Sequence, residues 1–200
     1  MARPVLDFWF DFASTYSYPS AMRIGALADA ARIDVRFRPF LLGPIFKALG
    51  WETSPFNLYP AKGRNMWRDL ERLCADLSLP FVRPDPFPQN SLLAARVALA
   101  VPQTKRDAFC TAVFRMQFVD GRRIDQRDAI GTILAGLDTD PAALLAAAQT
   151  DAIKDQLRAA TAEAQQLGVF GAPTFITPDG ELFWGNDRLE RALTWAQRGK

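Results

Sequence analysis

One serine near the N-terminus stands where a side chain can do chemistry. Ser14 follows the apolar run 5–10, which predicts a strand, and precedes the amphipathic stretch 16–31, which predicts a helix. The start of a helix presents unpaired backbone N–H groups and the positive end of the helix dipole. A bound anion is therefore favoured beside Ser14. A simpler interpretation is that Ser14 only caps the helix, as serine often does.

The absence of histidine limits what Ser14 can do. Without imidazole there is no Ser-His-Asp triad, no histidine-based zinc site and no usual general base near neutral pH. Ser14 is therefore predicted to act as a hydrogen-bond donor and not as a nucleophile. Cys74 and Cys110 have no partner at metal or redox spacing, so we expect two buried packing residues and no metal site.

The composition predicts one globular domain. A chain of 200 residues that is 49% hydrophobic can build a sizeable core. The net charge of +2 arises from mixed acidic and basic residues, which argues against nucleic acid or an anionic membrane as a partner. The N-terminus lacks a signal-like segment and no apolar stretch reaches the length of a membrane span, so a cytoplasmic location is expected.

The N-terminal segment predicts a strand-helix-strand unit. The alternating stretch 33–40 is typical of a half-buried strand that ends at Pro39, and it should pair in parallel with 5–10 through a right-handed crossover. A helical block then follows. Its helices are expected at 43–49, 62–77, 91–101, 105–119, 125–137 and 141–150, with loops at 50–59 and 80–88.

The C-terminal segment predicts a helix, a β-hairpin and a final helix. A helix is predicted at 151–167, ending at Gly168, and a strand that ends at residue 176 follows it. Asp-Gly then marks a hairpin turn, after which we expect a strand at 181–184 and a helix at 187–197. The two ends together predict an α/β thioredoxin-like fold with a large all-helical insertion. We expect a single unit made of 1–41 and 151–200, with the insertion at 42–150.

Proline 173 is expected to lie opposite Ser14. In the thioredoxin arrangement the loop that opens the third strand faces the start of the first helix, so Ala172 and Pro173 should approach Ser14. The bond between them is predicted to be cis, because cis peptide bonds are chiefly a proline feature. Tryptophans 9, 67 and 184 are predicted to be core residues.

Three motifs resemble the signatures of 2-hydroxychromene-2-carboxylate isomerases, which are relatives of the kappa-class glutathione transferases and, more distantly, of DsbA. They are FDFASTYSY at 10–18, GVFGAPTF at 168–175 and FWGNDRL at 183–189, and PAK at 60–62 adds to them. The resemblance covers almost the whole chain. It implies a glutathione-dependent cis-trans isomerase that interconverts 2-hydroxychromene-2-carboxylate and trans-o-hydroxybenzylidenepyruvate in aromatic degradation, such as naphthalene catabolism.

The resemblance also implies how the reacting end of glutathione is held. Ser14 would hydrogen-bond the thiolate, and Ala172, before Pro173, would offer its backbone to the tripeptide as an added strand does. Relatives of the DsbA type carry Cys-x-x-Cys where this chain has 14–17, so disulfide exchange is not expected. Thr15 stands where these families commonly place proline.

The two charged ends of glutathione have their own matches. Asp187, with Asn186 and Arg188 beside it, matches the segment that holds the glutamyl end, and Lys62 matches the lysine that reaches the glycyl carboxylate. The asparagine of the preceding loop is matched by either Asn57 or Thr53. From position alone, Asp187 could instead cap the last helix and Lys62 could be a solvated lysine.

The sequence leaves two other functions open. One is a kappa-like transferase that conjugates glutathione to an electrophile, and the other is a non-catalytic thioredoxin-fold binding protein. The expected partners are glutathione and a small aromatic substrate, held in an apolar cleft between the helical block and the thioredoxin face. The family further implies a homodimer.

Overall fold

The sheet joins the two ends of the chain. The computed structural model describes residues 2–198. Strand β1 (Val5–Phe10) pairs in parallel with β2 (Asp34–Pro39) and antiparallel with β3 (Thr174–Ile176), which pairs antiparallel with β4 (Leu182–Trp184). The strand order is therefore β2-β1-β3-β4. Helix α1 (Ser17–Ala31) connects β1 to β2, so the predicted parallel unit and the predicted hairpin are both confirmed.

Nine further helices surround this sheet in the part of the chain that the structure describes. They are α2 (Leu42–Ala48), α3 (Pro55–Leu58), α4 (Pro60–Asp76), α5 (Leu92–Ala100), α6 (Gln103–Phe118), α7 (Arg127–Ala135), α8 (Pro141–Ala147), α9 (Asp151–Gln166) and α10 (Leu189–Ala196). Between residues 2 and 198, no helix is both long and apolar enough to cross a membrane.

The predicted loop 50–59 is wrong in its second half. Residues Pro55–Leu58 form α3, and α4 begins at Pro60, two residues before the predicted start. Ser54 accepts a hydrogen bond from the Phe56 N–H at 3.3 Å, and proline occupies the first position of both helices, where its missing N–H costs nothing. A helix of one turn is too short to show an apolar period in the sequence.

Strand β1 lies at the centre of the core and is buried on both faces. Phe8 stacks on Phe175 of β3 with ring centroids 5.5 Å apart, and Phe10 packs against Phe114 of α6 at 5.6 Å. On the opposite face Trp9 packs edge-on against Phe40. Burial on both faces explains why this strand reads as a nearly continuous apolar run.

Both cysteines are free and buried, as predicted. Burial raises the pKa of the Cys74 thiol to about 11, and it also raises the pKa of Cys110. Neither residue lies in the loop 11–16 between β1 and α1, which contains Ser14.

Candidate functional site

Ser14 and the Ala172 loop meet as the sequence predicts. The Ser14 hydroxyl donates to the Ala172 carbonyl at 2.8 Å, although 158 positions separate the two residues. The Ala172–Pro173 bond is cis, which confirms that prediction. Ser14 is 8% exposed, and its own N–H donates to the Asp11 carbonyl at 2.9 Å.

The Ser14 oxygen also receives a hydrogen bond from the start of α1. The Ser17 N–H donates to Ser14 Oγ at 3.3 Å, so Ser14 does satisfy one of the unpaired donors at the helix terminus. The capping role and a role in binding are therefore compatible. A serine hydroxyl has a single proton, which Ser14 directs to Ala172, and to donate to an anion it must turn that proton away from the carbonyl.

Asp11 is a site residue that the sequence motifs did not single out. Its Oδ1 accepts from the Ala13 N–H at 2.9 Å and its Oδ2 accepts from the Leu42 N–H at 2.8 Å. Burial raises the pKa of Asp11, and hydrogen bonds from the Leu42 and Ala13 N–H groups oppose that rise. The carboxylate thus ties the Ser14 loop to the first residue of α2. Its sequence signals are its position directly after an apolar strand and its place in the motif 10–18.

Tyr16 connects the start of α1 to helix α4. Its hydroxyl donates to Asp69 Oδ2 at 2.8 Å. Burial, together with that hydrogen bond and the Asp69 charge, raises the pKa of Tyr16. Helix α4 carries Lys62 in its first turn, where the side chain is exposed and its ammonium lies 4.7 Å from the centroid of the Tyr59 ring.

The two alternatives for the loop asparagine lie side by side. Asn57 is exposed, and its side-chain amide donates to Thr53 Oγ1 at 3.1 Å. The two polar groups therefore form one local feature, and a role for either in binding glutathione stays a prediction.

The segment 186–188 divides into a buried residue and two exposed ones. Asn186 is buried, and its Oδ1 accepts from the Ser20 hydroxyl of α1 at 2.9 Å. Asp187 and Arg188 are exposed and form an ion pair at 2.7 Å. The predicted start of the last helix at residue 187 is wrong, because 186–188 form a 3-10 turn before α10. The Asp187 carboxylate bonds to Arg188 instead of to a backbone N–H of α10.

Trp184 is the exception to the predicted core positions of the tryptophans. Trp9 and Trp67 are buried, whereas Trp184 on the edge strand is 52% exposed and packs on Phe170 with ring centroids 4.9 Å apart. A Cβ at Gly171 would lie 2.5 Å from the Trp184 Nε1, so the indole lies directly against the backbone before Ala172. A position in the edge strand leaves one face of the ring uncovered.

A surface cavity of about 300 Å³ lies beside this edge strand. Its lining includes Trp184, Arg188 and Trp195, and it does not include Ser14. The apolar cleft expected between the helical block and the thioredoxin face stays a prediction.

Comparison with known proteins identifies the family. A family model described as a DSBA-like thioredoxin domain matches residues 5–194. A 2-hydroxychromene-2-carboxylate isomerase of Sphingobium xenophagum is 34% identical over 191 residues, which cover 92% of this chain and 94% of that protein. The chain belongs to the 2-hydroxychromene-2-carboxylate isomerase family, within the DsbA-like thioredoxin domains.

Two further relatives extend this family placement. Glutathione S-transferase kappa 1 of Homo sapiens is 28% identical over 199 residues, covering 92% of this chain and 87% of that protein. A solved structure of a 2-hydroxychromene-2-carboxylate isomerase superimposes with a TM-score of 0.88 at 25% identity, covering 97% of this chain and 95% of that one. The family resemblance and the thioredoxin-like fold with its many helices are thereby confirmed.

Proposed function

We propose that this protein is a glutathione-dependent isomerase that interconverts 2-hydroxychromene-2-carboxylate and trans-o-hydroxybenzylidenepyruvate. The observation that carries the proposal is the Ser14 hydroxyl, placed at the start of α1 and 2.8 Å from the Ala172 carbonyl, in a chain without histidine. The names of the relatives support the choice of reaction.

The charged side chains of the candidate site suit the two ends of glutathione. The glutamyl end carries an ammonium and a carboxylate, and the exposed Asp187–Arg188 pair offers one partner for each. The exposed Lys62 ammonium would bind the glycyl carboxylate. Ala172 would contribute its backbone, and Asn57 or Thr53 would add one polar contact. Asn186 would act by fixing the Asp187 turn to α1, because its side-chain oxygen already bonds to Ser20.

When bound, glutathione would supply a thiolate that adds to the conjugated double bond of the ring-opened substrate, permits rotation and is then expelled unchanged. Lowering a thiol pKa from about 8.5 to about 6.5 takes about 2.7 kcal/mol. A helix N-terminus contributes about 0.3–2 kcal/mol, and a hydrogen bond to a charged group about 1.5–3 kcal/mol. Because Ser14 must give up its bond to Ala172, its net share is about 1–1.5 kcal/mol, and with a strong contribution from α1 the two reach the required value without a general base.

The test follows both the substrate and the thiol. Ultraviolet absorbance reports conversion of 2-hydroxychromene-2-carboxylate with and without glutathione, and a thiol-reactive dye counts glutathione before and after. We expect fast conversion that requires glutathione and leaves the thiol count unchanged. Glutathione binding without any conversion would contradict the isomerase assignment, and no binding in calorimetry would contradict the site itself.

A kappa-like glutathione transferase is the second candidate, because human kappa 1 aligns with nearly the whole chain. It would use the same thiolate, so only turnover separates the two: a transferase consumes the thiol with an electrophile such as 1-chloro-2,4-dinitrobenzene. A non-catalytic binding protein would show no rate that depends on Ser14. The homodimer, the cytoplasmic location and the role in aromatic degradation stay predictions.

A further inference from the structure

Ser17 carries an unpaired hydroxyl at the first position of α1. The residue is fully buried, and its Oγ has no hydrogen-bond partner among residues 2–198. A buried hydroxyl without a partner destabilises the folded chain, so most buried hydroxyls are paired. Ser20, three residues further along the same helix, follows the rule: its hydroxyl lies 2.9 Å from Asn186 Oδ1 and 3.3 Å from the Tyr16 carbonyl.

The unpaired hydroxyl belongs to a residue whose backbone already contacts the Ser14 oxygen. The Ser17 N–H donates to Ser14 Oγ at 3.3 Å, and only three covalent bonds separate the amide nitrogen of a serine from its hydroxyl oxygen. The two hydroxyl oxygens therefore lie within about 7 Å of each other, a gap that a change of rotamer can shorten. A serine oxygen accepts two hydrogen bonds, so Ser14 Oγ has one acceptor position left.

We propose that Ser17 is a positioning residue that acts through Ser14. When the Ser14 proton turns from the Ala172 carbonyl to a glutathione thiolate, the Ser17 hydroxyl donates to Ser14 Oγ. Two hydroxyls then point in series toward the sulfur, and each bond polarises the next. No covalent bond changes. The inference rests on the proposed function, because glutathione is the ligand that moves the Ser14 proton.

This arrangement explains why the hydroxyl is unpaired in the free protein. The remaining lone pair of Ser14 Oγ turns toward Ser17 only when the Ser14 proton turns to the thiolate, so the cost of burying the Ser17 hydroxyl is recovered on binding. Removing the hydroxyl should consequently not destabilise the free chain, whereas it should raise the pKa of the bound thiol. A purely structural serine would behave in the opposite way.

Three variants of the full chain test the proposal. Ser17→Ala removes the hydroxyl, Ser17→Thr restores it, and Ser20→Ala removes a buried hydroxyl that is already paired on the same helix. Each protein is titrated with reduced glutathione while thiolate absorbance is followed against pH, and the melting temperature is measured without glutathione. We expect Ser17→Ala to raise the pKa of the bound thiol by about 0.4–1 unit with no fall in melting temperature. Ser17→Thr should restore the wild-type pKa, and Ser20→Ala should lower the melting temperature, because it removes a hydrogen bond that the free chain makes to Asn186.

The wild-type titration distinguishes a failure of the proposed function from a failure of the role proposed for Ser17. A bound thiol in the wild type that titrates like free glutathione would overturn both the proposed function and this inference. A lowered pKa in the wild type that Ser17→Ala leaves unchanged would overturn the role of Ser17 alone. A melting temperature that falls as far in Ser17→Ala as in Ser20→Ala would also overturn it, because the hydroxyl would then have a structural partner in the free protein.

Discussion

Replacing Ser14 by alanine isolates the hydrogen bond on which the proposed function depends. The variant loses the hydroxyl that donates to the Ala172 carbonyl at 2.8 Å. In the complex that proton would move from a carbonyl to a thiolate, exchanging a neutral hydrogen bond of about 0.5–1.5 kcal/mol for a charged one of about 1.5–3 kcal/mol. The net gain of about 1–1.5 kcal/mol corresponds to about one pKa unit.

We therefore expect Ser14→Ala to raise the pKa of the bound thiol by about one unit, because the terminus of α1 is unchanged. At a pH below both pKa values the thiolate fraction, and with it the turnover rate, should fall about tenfold. Above both values the two proteins should converge. The assay is the rate of 2-hydroxychromene-2-carboxylate conversion at saturating glutathione, measured across the pH range.

The shape of the profile decides the interpretation. A loss of rate that is the same at every pH would show that Ser14 positions the substrate and does not ionise the thiol. An unchanged profile would remove Ser14 from the reaction. Calorimetric binding of glutathione by the variant serves as the control that the rest of the site is intact.

Three further predictions concern groups around the site. Cys74 and Cys110 should resist iodoacetamide at neutral pH in the folded protein and react in urea, because burial raises both thiol pKa values; mass spectrometry detects the adducts. Gly171→Ala should lower the unfolding free energy by about 1–3 kcal/mol, because its Cβ would lie 2.5 Å from an indole nitrogen of β4. The control is Gly25→Ala in α1, where a Cβ meets nothing within 4 Å, and urea unfolding measures both. Burial raises the pKa of Asp11 above 3.8, so the folded state binds more protons between 3.8 and the raised value. As the pH falls through that interval, the wild type should gain stability relative to Asp11→Asn, whereas parallel curves would contradict the pKa shift.

Local patterns were sufficient for the elements that position the site. Apolar runs, alternation and the Asp-Gly turn predict β1, β2, the β3–β4 hairpin and most helices, because burial on one or both faces leaves its period in the sequence. Helix α3 was not predicted, since a single turn has no apolar period to detect. The exposure of Trp184 was not predicted either, because the exposure of a ring depends on whether its strand lies at the centre or the edge of the sheet.

The sequence by itself determined that Ser14 lies before a helix, that Pro173 opens a strand opposite it and that no histidine can assist. Only the tertiary structure decided where the protons and carboxylates go. Ser14 bonds to a carbonyl 158 positions away, Asp11 joins the loop to α2, and Ser17 is left without a partner. These contacts depend on which side chains become neighbours after the two ends of the chain form one sheet, and such distances and burials leave no local pattern in the sequence.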